Sequence, residues 1–257
     1  NAGQAAPAEQ LCRQVLQVAP LQPDALNLLG LMMYAYGKTE LALDYIRKAS
    51  QSPEAPATVF SNLAELCRQQ GLLQDAEQAA RRATKQEPEL VAAWNNLGII
   101  LQETGNFSAS LECLQYVASQ QPDNAEVYNN LANTYKHLED LPRAQESYQR
   151  ALTLRPDYAE VHSNLAVLLR SQGCIDEAAA SARRAIDINP HLADAYLNLA
   201  DIELSRRHYT DALHWVNVLL EFSPQHVGAL TALAQIMIVH EQYEEAITVA
   251  RKTLTVA

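Results

Sequence analysis

The chain repeats itself every 34 residues, and that period constrains its fold more than any other feature. The segments Ala93-Trp94-Asn95-Asn96-Leu97-Gly98, Val127-Tyr128-Asn129-Asn130-Leu131-Ala132 and Ala195-Tyr196-Leu197-Asn198-Leu199-Ala200 align with no insertion or deletion between them. Repeats start at Pro23, Ala57, Val91, Ala125, Ala159, Ala193 and Val227, which makes seven, and residues 7–22 match the second half of an eighth. A period of this length predicts stacked supersecondary units, each of which buries its apolar face only against its neighbours.

Inside each repeat, the residue types follow the geometry of two packed helices. Position 4 carries a large residue: Leu26, Phe60, Trp94, Tyr128, His162, Tyr196 and Leu230. Position 7 is leucine throughout, position 8 is glycine or alanine, and position 20 is alanine or Ser110. At about 100° per residue, positions 4, 7, 8 and 11 share one face of a first helix. Small residues at 8 and 20 let the two helices approach closely while the large residue at 4 fills the space beside them. Gly37, Gly71, Gly105 and Gly173 occupy position 15, where the chain must turn. Glu139, Arg207 and Glu241 stand there in the other three repeats, and tighter or strained turns are expected at those places. Proline at position 32 (Pro88, Pro122, Pro156, Pro190, Pro224) ends the second helix. In the first repeat Pro53 and Pro56 flank that position, so its link is expected to be shifted.

This pattern resembles the tetratricopeptide repeat family over nearly the whole chain. The resemblance implies an all-α, right-handed superhelical solenoid of antiparallel helix pairs, with seven full repeats and an N-terminal half repeat. Residues 1–6 read as a tag scar or disordered stump, and residues 7–257 as a single solenoid. The array stops inside a second helix without a polar capping helix, so a fragment, a covered end or self-association through uncapped ends is expected.

The face of the first helix opposite the packing stripe is where the resemblance implies a concave ligand surface. Position 6 there is Asn62, Asn96, Asn130, Asn164 and Asn198 in five consecutive repeats, and position 5 adds Asn95 and Asn129. A carboxamide donates and accepts, so a row of them can pair with the backbone of an extended peptide without reading its side chains. The ladder is similar to that of the repeat arms of O-GlcNAc transferases, where asparagines at this position grip substrate backbones. The structural alternative is that these amides bond between adjacent repeats and set the pitch of the array. Two functional classes follow: a scaffold that captures a partner protein or extended peptide, or the substrate-recruiting arm of a larger glycosyltransferase whose catalytic domain lies elsewhere.

Composition excludes other classes. The formal net charge is −11, and the basic spots (Arg81-Arg82, Arg183-Arg184, Arg206-Arg207) are short, which disfavours nucleic acid and anionic membrane. The carboxylate clamp of chaperone adaptors is disfavoured too, because position 2 carries Asp24, Glu126, Glu160 and Asp194, and position 6 is asparagine. Cys12, Cys67, Cys113 and Cys174 show no paired or metal-binding spacing and fit reduced thiols in a cytoplasmic setting. No phosphate loop, zinc-protease motif or nucleophile–base arrangement is present, so neither a catalytic residue nor a metal site nor a cofactor is expected. His162 is expected as a packed ring, and Tyr116, Tyr148 and Trp215 as packing on second helices.

Overall fold

The computed structural model describes residues 2–256, which form fifteen helices and no strand. Two compact units are distinguished, one up to Pro122 and one from Asp123 onward. In the first, α1 (Ala2–Val18) precedes three helix pairs: α2 (Pro23–Ala35) with α3 (Thr39–Ser50), α4 (Ala57–Gln69) with α5 (Leu73–Gln86), and α6 (Val91–Glu103) with α7 (Phe107–Gln120). The second holds four pairs: α8 (Ala125–His137) with α9 (Leu141–Leu154), α10 (Ala159–Ser171) with α11 (Ile175–Ile188), α12 (Ala193–Ser205) with α13 (Tyr209–Phe222), and α14 (Val227–Val239) with α15 (Tyr243–Val256). Every first helix starts on the residue at which the sequence period begins. The helix α1 includes Ala2, so helical backbone extends into the segment read as a stump; Asn1 lies outside the described residues.

One backbone device closes every first helix. The N–H of position 16 donates to the carbonyl of position 11, from Lys38 to Met33 and Leu72 to Cys67 through to His208 to Glu203 and Gln242 to Met237, all at 2.8–2.9 Å. This is the six-to-one closure of a Schellman turn, and it requires the residue at position 15 to be left-handed. The four glycines there have φ of 71–80°, and Glu139, Arg207 and Glu241 adopt φ of 61–62°. The expectation of tighter turns in those three repeats is thus corrected. The turn is unchanged, and the side-chain-bearing residue takes on the left-handed strain that glycine would avoid.

The second helices end with equal regularity. Glu87, Gln121, Arg155, Asn189 and Ser223 cap them with φ of −130 to −137° and ψ of 67 to 94°, outside the helical region that the following proline disfavours for its predecessor. The carbonyls of three of those prolines are then satisfied by the large residue at position 4 of the next repeat. Trp94 Nε1 donates to the Pro88 carbonyl at 2.8 Å, Tyr196 Oη to that of Pro190 at 3.0 Å, and His162 Nε2 lies 3.1 Å from that of Pro156. His162 is half-buried, so position 4 combines packing with a polar tether that fixes the link. In the first repeat α3 ends early at Ser50, and Ala55 is buried in the link, its carbonyl accepting from Gln86 Nε2 at 2.9 Å. That link differs from the others, as Pro53 and Pro56 suggest, yet α4 begins in phase.

Close helix approach shapes the core. An added Cβ on Gly98 would lie 2.8 Å from Leu114 Cγ, and one on Gly30 would collide with the Ile46 side chain. Both large partners occupy position 24, whereas Ala64 in the second repeat faces a small residue, Ala80, at that place. Ser110, the one non-alanine at position 20, is fully buried and donates to the Gly98 carbonyl at 2.7 Å. Tyr148 is fully buried in the second unit, with its hydroxyl donating to Asn133 Oδ1 at 2.5 Å. The tyrosines and tryptophan read as packing lie in such settings: Tyr116 stands against Trp94, and Trp215 against Tyr196.

Candidate functional site

The asparagines at position 6 are all half-buried on first helices, and hydrogen bonds fix how the amides of Asn62, Asn96, Asn164 and Asn198 point. In the first unit Asn96 Nδ2, on α6, donates to the Ser61 carbonyl at 3.1 Å and to Ser61 Oγ at 3.2 Å, on α4. Asn62 Nδ2 donates to Asn27 Oδ1 on α2 at 3.0 Å. In the second unit Asn198 Nδ2, on α12, donates to the Ser163 carbonyl at 3.2 Å and to Ser163 Oγ at 2.9 Å, on α10. Asn164 Nδ2 donates to Asn129 Oδ1 on α8 at 3.1 Å. Each bond joins position 6 to position 5 of the preceding repeat, 35 residues back.

The orientation at Asn96 and Asn198 has a simple cause. A backbone carbonyl only accepts, so the atom facing it must be the amide nitrogen. The nitrogen is therefore committed to the neighbouring helix. The Oδ1 of Asn62, Asn96, Asn164 and Asn198 receives no donor among the described residues, so their free polar capacity is accepting. Position 5 thus divides into two kinds: Asn129 supplies its side chain to the stitch, whereas Asn95 sits on α6 at the same register. Asn130 occupies position 6 on α8 in the second unit.

Charge on the same face is sparse and uneven. Lys136 at position 12 of α8 is held below the ordinary ammonium range by burial. Arg170, one repeat on, lies 3.6 Å from Asp201, whose carboxyl burial raises and Arg170 lowers in part. In the first unit Arg68 reaches Glu65 at 2.8 Å and Glu103 at 2.6 Å. Burial pushes the Glu65 carboxyl up, but its bonds from Arg68 and Gln69 outweigh this and hold it below the usual range.

The donor cluster best placed for a cation is an ion-pair hub. Glu203, His208 and Asp211 bring one ligand-type atom each within 4.8 Å of one another. Position 11 is Met33, Cys67, Leu101, Tyr135, Leu169 and Met237 in the other repeats, and Glu203 is the one charged residue there. Its buried carboxylate is shared by Arg206 at 3.4 Å, Arg183 at 3.5 Å and His208 at 3.1 Å. The two guanidiniums supply the compensation that a buried carboxylate requires, and the His208 ring adds a hydrogen-bond contact. Burial raises the thiols of Cys12 and Cys67, and that of Cys113 to about 11, which keeps them protonated and unreactive.

A family model described as Tetratricopeptide repeat matches residues 89–157 and 123–191. Tetratricopeptide repeats are recognised in this chain. A second model, described as Anaphase-promoting complex, cyclosome, subunit 3, matches residues 171–253. Among solved structures, the chain is similar to a tetratricopeptide repeat protein from Parabacteroides merdae, with a TM-score of 0.77, 17% identity, and coverage of 92% of this chain and 93% of that one. It is similar to the APC/C hetero-tetramer Cut9–Hcn1, with a TM-score of 0.77 and 18% identity, over 92% of this chain and 46% of that one. It is also similar to MamA from Desulfovibrio magneticus, with a TM-score of 0.60 and 19% identity, over 66% of this chain and 97% of that one. None of the curated proteins matches the sequence.

The fold is that of an all-α tetratricopeptide solenoid, a type typical of protein-interaction scaffolds and generally non-catalytic. Among the described residues, no helix is long and apolar enough to cross a membrane.

Proposed function

We propose that this chain is an interaction scaffold that holds an extended polypeptide against the first helices of its repeats. The observation that carries this reading is the amide orientation at position 6: on the half-buried side chains of Asn62, Asn96, Asn164 and Asn198 the nitrogen is bound to the preceding repeat and the oxygen has no donor among the described residues. Pre-oriented acceptors cost little further ordering when a ligand N–H arrives. Neighbouring first helices pack at about 8–10 Å, and a polyproline-II chain repeats every three residues with a rise of about 3.1 Å each, so successive acceptors meet every third N–H on the same side of such a chain. Such a surface selects extended backbone more than side-chain sequence. The hetero-tetrameric assembly named for Cut9–Hcn1 is consistent with use of this fold for protein partners.

The test is selection of unstructured peptides from a display library, followed by titration against two double variants, Asn62→Ala/Asn96→Ala and Asn164→Ala/Asn198→Ala. With two bonds lost at about 0.5–1.5 kcal/mol each, peptides of unrelated sequence should weaken by roughly 5- to 150-fold while helicity is kept. Undiminished binding by folded variants would make the ladder architecture alone.

The finer reading, a recruiting arm of a glycosyltransferase, rests on the run of asparagines at position 6 in five consecutive repeats. It predicts a transferase domain in the same polypeptide and glycosyl transfer to peptides that falls when the asparagines are removed.

A further inference from the structure

A second row of contacts runs along the first helices at position 12. In the first unit the residue there reaches forward to position 13 of the next repeat: Tyr34 Oη donates to Gln69 Oε1 at 2.7 Å, and Arg68 Nη1 donates to Glu103 Oε1 at 2.6 Å. In the second unit Arg170 reaches position 9 of the next repeat, with Asp201 at 3.6 Å. Position 12 therefore points across to the following first helix, and an oxygen meets it in each of these repeats.

Lys136 breaks the row. It holds position 12 of α8, and α10 offers it Val167 at position 9 and Ser171 at position 13. Ser171 turns its hydroxyl to the Leu168 carbonyl at 2.7 Å. On α8 itself position 9 is Asn133, where Arg68 has Glu65, and its Oδ1 accepts from the Tyr148 hydroxyl. Lys136 thus has neither an ion-pair nor a hydrogen-bond partner among the described residues, and burial alone lowers its ammonium. No buried side-chain nitrogen among those residues lacks a partner, so the half-buried Lys136 brings its Nζ to solvent.

The surroundings leave that charge uncompensated. His137 adds no second cation, because burial and the neighbouring Lys136 both hold its ring below the ordinary imidazole range. The acids at position 2, Glu126, Glu160 and Asp194, stand about 15 Å away along the helix axis, beyond the screening length of about 8 Å. Position 12 follows position 5 by one heptad and lies within about 20° of it around the helix. Lys136 is therefore on the side of Asn129, which accepts from Asn164 of the ladder.

We propose that Lys136 is a specificity-determining residue of the polypeptide surface, taking the side-chain carboxylate of one aspartate or glutamate in the bound segment. This rests on the reading that an extended polypeptide lies along the first helices, and it adds a register to a grip that otherwise ignores sequence. The acceptors of Asn164 and Asn198 take backbone N–H groups, and Lys136 selects which residue of the segment stands over α8. A partly desolvated ammonium gains most from an anion that pairs with it directly. A single ammonium balances a single carboxylate, whereas a dianionic phosphate calls for more donors than this place holds.

The experiment selects random twelve-residue peptides displayed on phage against the whole chain and against Lys136→Met, which keeps the length of the apolar stem. Peptides recovered on the parent should share an acidic residue at one position, and those recovered on Lys136→Met should not. In titrations of one recovered peptide, glutamate→glutamine at that position should weaken binding to the parent by about 10- to 150-fold, the worth of a hydrogen bond to a charged group. The same change should leave binding to Lys136→Met unaltered, and Lys136→Arg should restore the preference; circular dichroism verifies that both variants fold. Recovered peptides without an acidic position, or equal binding of the glutamate and glutamine forms, overturn the role of Lys136 and leave the backbone grip standing. Tighter binding of the phosphoserine form than of the glutamate form overturns the carboxylate assignment. Recovery of no peptide on the parent removes the extended-polypeptide reading, and the assignment of Lys136 falls with it.

Discussion

Asn96 donates through one amide nitrogen to both the backbone carbonyl and the hydroxyl of Ser61, 35 residues earlier, at 3.1 and 3.2 Å. The contact makes the side chain a stitch between α6 and α4. Replacing Asn96 with alanine is expected to cost about 0.5–1.5 kcal/mol in urea unfolding, the net worth of a typical hydrogen bond. Asn96→Asp should cost more, because it sets a carboxylate oxygen against a carbonyl oxygen. An aspartate variant as stable as the parent would refute the stitch.

The left-handed turns make a second prediction. Glu139, Arg207 and Glu241 hold φ near 61° without being glycine. A left-handed residue with a side chain costs about 1–2 kcal/mol, part of which glycine gives back through the entropy of the unfolded chain. Each glycine substitution should therefore stabilise by about 0.5–1 kcal/mol, read as a rise in the denaturation midpoint. Gly105→Ala, at φ 79°, should move it the other way.

Core packing at position 8 is testable by a cycle. Gly98→Ala forces a Cβ to within 2.8 Å of Leu114 and should destabilise by about 1–3 kcal/mol. Adding Leu114→Ala recreates the alanine pair found at Ala64 and Ala80. The double variant should be more stable than the sum of the two single losses predicts, because the alanine at 98 then occupies space the leucine has vacated.

The Cys113 thiol gives a pH dependence of definite sign. Burial raises it from the ordinary value of 9.0 to about 11. Between those values the native state holds a proton that the unfolded chain releases, so its contribution is complete below pH 9 and is lost as pH rises toward 11. Stability should fall across that window, and Cys113→Ala should flatten the slope. At pH 8, iodoacetamide should modify half-buried Cys174 well before the buried Cys67 and Cys113, as peptide mapping would show.

Most of the fold was legible because repetition multiplies weak signals. A leucine at position 7 or an alanine at 8 says little once, but seven copies in phase place both helices and every turn, and all seven first helices begin where the period does. Where repeats depart from the pattern, substitution alone was a poor guide to backbone. Glu139 suggested a different turn, yet the six-to-one bond from Asp140 to Tyr135 forms at 2.9 Å as in the glycine repeats. The turn is imposed by packing on both sides of it, and the residue conforms. The tether from Trp94 to the Pro88 carbonyl left no mark in the sequence beyond the two residues themselves, because nothing in a 34-residue spacing says which way an indole points.

The sequence by itself determined the all-α class, the starts of the seven first helices and the alignment of Asn62, Asn96, Asn130, Asn164 and Asn198 at one register. These follow from local periodicity, which each repeat states independently. Only the tertiary structure decided what those amides have left to offer. Whether a carboxamide donates, accepts or does both depends on which atom faces the preceding repeat, and Ser61 and Ser163 hold backbone carbonyls there that take the nitrogen.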